Sequence, residues 1–180
     1  MAAHEESRCE NCIIRQLNSL KALKKEELKA ISDSKETRTI KKDEPLFKEG
    51  EKLNGVFCVR NGVSKLSKIS DNGKDQIVKI ASKGEVMGQR SVIAEEATNL
   101  SAVALNDMEV CFIPKTNITA RIEDNPAFTQ AILKYMAQEL KLADDVIVNM
   151  AQKTVNQRLA EALLYLDKTF GQDDEGYLAL

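Results

Sequence analysis

The chain has 180 residues, of which 43% are hydrophobic, and a net charge of −2, which fits one globular core with an appendage. Its 26 basic residues are balanced by 28 acidic ones without a basic block, which argues against a nucleic-acid surface of its own. No apolar run approaches the roughly 20 residues that span a bilayer, and the polar N-terminus is unlike a signal peptide, so we expect a cytoplasmic protein with no membrane partner.

The first chemical feature along the chain is the C-x-x-C pair formed by Cys9 and Cys12. In a reducing compartment, a close cysteine pair is better explained by metal binding or redox chemistry than by a structural disulfide. A C-x-x-C without a second pair is a weak metal signal. Inert thiols therefore stay open as an alternative.

Residues 13–33 predict a pair of short surface helices. Apolar residues recur there at mostly helical spacing, with Lys and Glu between them: Leu17, Leu20, Leu23, Leu28 and Ile31. With the cysteine-containing arm, these helices make up a first segment, residues 1–34.

Residues 35–115 have the composition of short strands and turns. Six of the eight glycines fall between Gly50 and Gly88, and the pairs Asn54-Gly55, Asn61-Gly62 and Asn72-Gly73 are typical of hairpin turns. The spacing predicts a mainly β domain of about eight strands, a sandwich or jelly roll. Cys58 and Cys111 lie in apolar strand sequence, where a cysteine ordinarily acts as a small hydrophobic residue.

Residues 116–152 are expected to hold a short helix and then a long one. Asn125-Pro126 is a helix start, with an N-cap residue before a proline in the first helical position. A further helix belongs to residues 153–180, where Thr154 and Gln157 form a capping box and Gly171 a stop signal.

The long helix carries a continuous apolar seam, whose residues step by 4, 4, 3, 4 and 3: Ile132, Met136, Leu140, Ala143, Ile147 and Met150. This alternation suits a two-helix interface between two copies of the chain. Lys134, Gln138, Lys141 and Asp145 lie opposite, on a solvated face. Packing of the seam against the β domain is the alternative.

The order of these elements and several local sequences resemble the Crp/Fnr family of bacterial transcription regulators, whose sensor domain has the cyclic-nucleotide-binding fold. The resemblance runs from about Cys9 to the end of the chain. Four stretches carry it: "LFKEGEKLNGVFCVRNGVSKLS", "GEVMGQRSVI", "VCFIP" and "QRLAEALLYL".

This resemblance implies an effector-sensing β-roll (35–115), a long dimerisation helix (116–152) and a linker helix (153–180) before a winged helix-turn-helix. We expect that DNA-binding domain to be absent from this chain. It also implies a homodimer that binds DNA only through the missing domain, with RNA polymerase as a further candidate partner. No nucleophile elbow, Walker loop or dense histidine or carboxylate cluster is present, so an enzyme is not expected.

The effector pocket that the resemblance implies contains eight positions: Gly88, Gln89, Arg90, Ser91, Leu100, Ser101, Ala143 and Asp144. Members that bind cyclic AMP place an arginine against the cyclic phosphate, where this sequence has Leu100. Because leucine cannot compensate a buried phosphate charge, cyclic AMP is not the expected effector. Another small molecule, no ligand in a purely structural dimer module, and a redox centre remain alternatives.

The fumarate and nitrate reduction branch of the family holds an iron–sulfur cluster with an N-terminal cysteine group and one distant cysteine. Cys9 and Cys12 resemble the close pair, and Cys111 in "VCFIP" resembles the distant ligand. Thiolates favour an iron–sulfur cluster or zinc. The family's third N-terminal cysteine corresponds to Asn18, so one thiolate is missing. His4, Asn18 or an exogenous group is the candidate replacement.

Overall fold

The β domain consists of two four-stranded antiparallel sheets in a computed structural model that describes residues 8–172 and 174–178. The eight strands are β1 (Glu36–Ile40), β2 (Pro45–Phe47), β3 (Gly55–Asn61), β4 (Ser64–Ile69), β5 (Asp75–Ala81), β6 (Val86–Met87), β7 (Ser101–Ala104) and β8 (Met108–Pro114). One sheet has the order β1-β8-β3-β6 and the other β2-β7-β4-β5. The predicted eight-stranded β fold is confirmed.

In the part of the chain that the structure describes, five α-helices accompany the sheets: α1 (Lys25–Ser34), α2 (Gln89–Ala94), α3 (Lys115–Asp124), α4 (Pro126–Gln152) and α5 (Val155–Phe170). Two short 3₁₀ turns, Ile13–Leu17 and Ser19–Ala22, precede α1. The prediction of two helices over 13–33 is therefore only partly right, because the first half forms 3₁₀ turns. Leu17 is exposed, whereas Leu28 and Ile31 of α1 are buried. The chain separates into two compact units, residues 1–132 and 133–180.

The core of the first unit lies between the two sheets and is apolar. Its buried members come from six strands: Phe47, Phe57, Val59, Ala81, Met87, Ala102, Ala104, Met108 and Val110. In β3 and β8 every second residue belongs to this core, because successive side chains of a strand point to opposite faces. Most of the intervening residues of β3 and β8 are also buried, with Arg60 and Glu109 half-buried at one end, so most of the outer face of this strand pair is covered as well.

Only one of the three Asn-Gly pairs forms a hairpin. Asn72-Gly73 connects the paired strands β4 and β5, and Gly73 has the positive φ of 77° that such a turn requires. Asn61-Gly62 instead joins two strands of different sheets. Gly55 is the first residue of β3. Any side chain there would clash, because its Cβ would lie 2.3 Å from the Ile113 carbonyl oxygen.

Helix α1 is tied to the start of α4 through the carboxylate of Glu27. Asn125, which is buried, caps α4 by accepting a hydrogen bond from the backbone N–H of Phe128 at 3.1 Å. Its Nδ2 donates to Glu27 Oε2 at 2.8 Å. Arg121 of α3 lies 3.6 Å from the same carboxylate. The predicted helix start at Asn125-Pro126 is thus confirmed, and Glu27 joins three helices.

The second unit contains most of α4 and all of α5, and both helices expose apolar side chains. Leu140 and Ile147 of the seam are 65% and 67% exposed. The predicted capping box of α5 is present, because Thr154 N–H donates to Gln157 Oε1 at 2.9 Å and Gln157 N–H donates back to the Thr154 hydroxyl. Gly171 ends α5, as predicted. Within the described residues, no helix is both long enough and apolar enough to cross a bilayer.

We expect Glu27→Gln to lower the free energy of unfolding at pH 7 by about 2 kcal/mol, because it weakens hydrogen bonds to a charged group. Burial raises the pKa of Glu27, but hydrogen bonds from the Lys24 backbone and Asn125 and the charge of Arg121 lower it below its usual 4.5 overall. A carboxyl with a depressed pKa stabilises the fold above the unfolded-state pKa and loses this effect as the pH falls through the folded-state value.

The difference between Glu27→Gln and the unmodified chain in urea unfolding should therefore be largest near pH 7 and shrink in acid. Glu26→Gln is the matched control, since Glu26 is exposed in the same helical turn and carries the same charge. A difference that does not change with pH would contradict this role of Glu27.

Candidate metal centre

Two cysteines occupy the covered outer face of the β3–β8 pair. Cys58 and Cys111 are partners in the antiparallel register, which places their Cβ atoms roughly 4.5–5.5 Å apart. Their neighbours Phe57 and Val110 point into the core. The strand alternation therefore directs both thiols away from the core, and both are buried.

The N-terminal segment brings Cys9 and Cys12 to the same face. The backbone N–H of Cys9 donates to the Ser32 hydroxyl of α1 at 2.6 Å, and that hydroxyl donates to Glu10 at 2.8 Å. Arg8 pairs with Glu10 at 2.6 Å. Although burial raises the pKa of Glu10, hydrogen bonds from Arg8, its own backbone and Ser32 bring it down to about 2. An ionised Glu10 thus fixes this segment to the end of α1.

All four cysteines line one small cavity, which we call the thiol cavity. Its lining is Cys9, Cys12, Arg15, Leu20, Lys35, Cys58, Arg60, Cys111 and Ile113. The volume is about 20 Å³, room for roughly one water molecule. The sequence-predicted ligands Cys9, Cys12 and Cys111 are therefore brought together. Cys58, which the sequence assigned to the hydrophobic interior, joins them.

Asn18 lies beside this cavity, but its amide group is already used. Its Oδ1 accepts from the Leu20 backbone N–H at 3.0 Å, and its Nδ2 donates to the Gly84 carbonyl at 2.9 Å. The same Nδ2 lies 3.6 Å from the Cys58 sulfur. Asn18 thus has a structural role in holding the arm to the sheet. His4, the other protein side chain considered as a replacement ligand, lies outside the described residues.

Two of the cavity thiols, those of Cys9 and Cys58, favour their neutral forms. Burial raises the pKa of Cys9, and the charge of Lys35 and a hydrogen bond with Ser32 oppose this only in part. Burial, together with repulsion from Cys111, Cys12 and Cys9, raises the pKa of Cys58 to about 12. All four thiols are free. Ionisation of Cys9 and Cys58 together is therefore unfavourable unless a cation lies beside them.

The donor set fits a metal that prefers sulfur. Four thiols are soft ligands, and positive charge around them comes from Arg15 and Lys35 and from Arg60, which is also paired with Glu109. Arg15 Nε is buried and makes no hydrogen bond to any described residue. Among residues 8–172 and 174–178, no three Cys, His, Asp or Glu side chains already form a metal-holding group. The sulfurs thus surround a space and do not meet at one point.

The eight residues of the predicted effector pocket fall in different surroundings. Gly88, at φ 82°, begins the short helix α2, where Gln89 and Ser91 are buried and Arg90 is exposed. Leu100 is half-buried, and the hydroxyl of Ser101 accepts a hydrogen bond from the Glu49 backbone. Ala143 and Asp144 are exposed residues of the second unit. The pocket, and the absence of cyclic AMP from it, stay predictions.

The six residues of the predicted dimer seam differ in exposure. Ile132 is buried within the first unit, and Met136 is half-buried. Leu140, Ala143, Ile147 and Met150 are exposed along α4. Their exposure leaves the second half of the seam available to a partner.

Residues 37–125 match the model of the cyclic nucleotide-binding domain. The chain is 28% identical over 171 residues to the transcriptional activator protein Anr of Pseudomonas protegens, covering 94% of this chain and 70% of that protein. It is also 28% identical over 165 residues to the fumarate and nitrate reduction regulatory protein of Vibrio cholerae, covering 91% of this chain and 66% of that protein.

The fold has solved counterparts as well. The sensor domain of the transcriptional regulator DNR from Pseudomonas aeruginosa superposes with a TM-score of 0.66 at 15% identity, over 81% of this chain and 95% of that one. The prediction that the chain is not an enzyme is confirmed by relatives that are transcriptional regulators.

In the metal-free protein, we expect Cys58 to react with iodoacetamide far more slowly than a free thiol. At pH 8 a pKa of about 12 leaves only about one Cys58 side chain in ten thousand ionised, and the thiolate is the nucleophile. The measurement is peptide mass spectrometry after timed alkylation. The control is the same reaction in urea, where all four cysteines should react. Equal rates for Cys58 in both conditions would contradict its burial.

Proposed function

We propose that this chain, which belongs to the Crp/Fnr family of transcription regulators, is the redox-sensing and dimerising part of such a regulator. The observation that carries the proposal is the convergence of cysteines from the N-terminal segment and from strand β8 on one cavity. The name of the Vibrio cholerae relative, a fumarate and nitrate reduction regulatory protein, supports this sensing role. DNA binding, homodimerisation and a cytoplasmic location are parts of the same proposal.

The cavity residues would hold an iron–sulfur cluster through Cys9 and Cys12 on one side and Cys111 on the other. Such a cluster would supply a redox-labile cross-link between these residues. The protein contributes the opposing walls: a strand held in a β ladder and a segment held by a few side-chain hydrogen bonds. Without that cross-link, the N-terminal segment would be released more easily than the strand, because it is held by fewer hydrogen bonds.

Helix α1 offers a physical route from the cysteines to the long helix. Its C-terminal end carries Ser32, which binds the backbone of Cys9. Its N-terminal turn carries Glu27, which binds the N-cap residue Asn125 of α4. A shift of the N-terminal segment would act on the start of α4 through this rigid element, in the way that a redox change biases a two-state element.

Two alternatives make different predictions. A ligand-free dimer module needs no metal, and its cysteines would remain packed thiols. A small-molecule sensor would use the residues around Gly88–Ser91, where Gln89 and Ser91 are buried polar groups. We favour the redox sensor because the four thiols and three cations share one site.

Protein purified without oxygen should contain iron and sulfide, and Cys9→Ser or Cys111→Ser should lose them. Each substitution removes a thiolate from one wall of the cavity. Metal and sulfide analysis and visible absorption, before and after exposure to air, give the measurement. Light scattering of the same samples should show a weaker dimer after cluster loss. Colourless wild-type protein with an unchanged dimer in both variants would favour the ligand-free module.

Ile147→Asp should convert the dimer to monomers, because it would bury one charge from each chain in the proposed helix seam. Gln138→Asp is the matched control. It adds the same charge on the opposite, exposed face of α4 and should leave the dimer intact. Dissociation constants from analytical ultracentrifugation give the readout. An Ile147→Asp variant that dimerises as tightly as wild type would show that the seam is not the interface.

A further inference from the structure

We propose that Cys58 is the fourth thiolate ligand of this metal centre, taking the place that Asn18 leaves vacant in the N-terminal segment. The inference rests on the proposed function and makes it more specific, since the site becomes a four-cysteine site with two ligands on the arm and two on adjacent strands. The ligand class is a metal that prefers sulfur, as an iron–sulfur cluster or as zinc.

The strand register fixes the first part of the inference. Cys58 and Cys111 face each other across β3 and β8 and lie on the same side of the sheet. A metal that Cys111 shares with the cysteines of the N-terminal segment would therefore lie next to Cys58. The antiparallel ladder holds the two strands from the Gly55–Pro114 pair to the Asn61–Glu109 pair, so these two thiols are pre-positioned with respect to each other.

The position of Asn18 supplies the second part. Its Nδ2 lies 3.6 Å from the Cys58 sulfur, so the side chains at positions 18 and 58 reach the same place. A thiol donated from the sheet at this place can replace one donated from the arm. The Asn18 amide itself is held by Leu20 and Gly84, and its nitrogen donates and does not coordinate.

The charges around the cavity support a four-thiolate site. Arg15, Lys35 and Arg60 line it, and the lining itself contains no carboxylate, although Arg60 also pairs with Glu109 beside the cavity. Four thiolates around a metal carry net negative charge, which these cations would offset. The buried Arg15 Nε, unpaired among the described residues, could donate to a bound sulfur.

The size of the cavity determines which wall must move. It has room for about one water molecule, so a single ion fits in place of that water, with the sulfurs closing around it. A cluster is larger and requires the wall formed by Cys9 and Cys12 to move outward. The strand wall with Cys58 and Cys111 can stay fixed, because it is held by ladder hydrogen bonds.

The test compares four anaerobically purified proteins: wild type, Cys58→Ala, Cys9→Ser and Val56→Ala. Val56 is the matched control for Cys58, because it is a buried residue on the same face of β3 that offers no thiol. Each protein is reconstituted with ferrous iron and sulfide and analysed for both. Each is also titrated with Co²⁺, whose sulfur charge-transfer absorption reports the number of thiolates bound. Circular dichroism of the metal-free samples checks folding.

Wild type and Val56→Ala should bind the same amounts of iron, sulfide and Co²⁺. Cys58→Ala should lose bound metal, as Cys9→Ser does. The loss in affinity should exceed about 100-fold, since even an outer-shell change costs about 10–100-fold. Adding Asn18→Cys to Cys58→Ala should restore loading, because it moves the missing thiol back to the arm. Zinc in place of iron, with the same dependence on Cys58, supports the inference and changes only the metal.

A folded Cys58→Ala protein that loads like wild type, while Cys9→Ser does not, overturns the role of Cys58 and leaves the redox sensor standing. A wild-type protein that takes up neither cluster nor Co²⁺ overturns both. In a third outcome, Cys58→Ala loses metal and the folded double variant Asn18→Cys/Cys58→Ala does not regain it. A thiol at position 18 then cannot supply the ligand that position 58 supplies. That result overturns the proposed replacement.

Discussion

The requirement that both faces of the β3–β8 pair be buried organises the rest of the first unit. One face packs into the core between the sheets, through Phe57 and Val110. The other carries apolar and thiol side chains that another segment of the chain shields from water, with Arg60 and Glu109 half-buried at one end. The N-terminal turns and helix α1 take this position, so the segment that carries Cys9 and Cys12 is placed against the strand cysteines by ordinary hydrophobic burial.

Helix α1 connects structural stability with the proposed sensing. Ser32 and Glu10 hold one end to the cysteine segment, and Glu27 holds the other to Asn125 at the start of α4. Both carboxylates have a lowered pKa, so both stay charged at neutral pH. The connection therefore depends on a few hydrogen bonds to largely buried carboxylates and not on core packing.

Several features could be predicted from the sequence because their signals are local. The capping box of Thr154 and Gln157, the helix start at Asn125 and the number of strands all depend on neighbouring residues or on composition. Features that depend on contacts between distant parts of the chain were missed. The spacing over 13–33 did not distinguish 3₁₀ turns from helices, and Asn61-Gly62 resembled a hairpin turn although its strands belong to different sheets. The placement of Cys58 beside Cys111 depends on register between distant strands, which one sequence does not reveal.

The contact between Asn18 and Cys58 also has an evolutionary consequence. If Cys58 has the proposed ligand role, these two positions would be under joint selection, since a cysteine at either one would supply the same thiol and a cysteine at both would leave one in excess. Position 18 could then vary only while position 58 keeps its sulfur, and the reverse would also hold. A lineage could then gain the cysteine on the strand before it loses the cysteine on the N-terminal arm. Each step would be a single substitution, and every intermediate would keep a complete set of ligands.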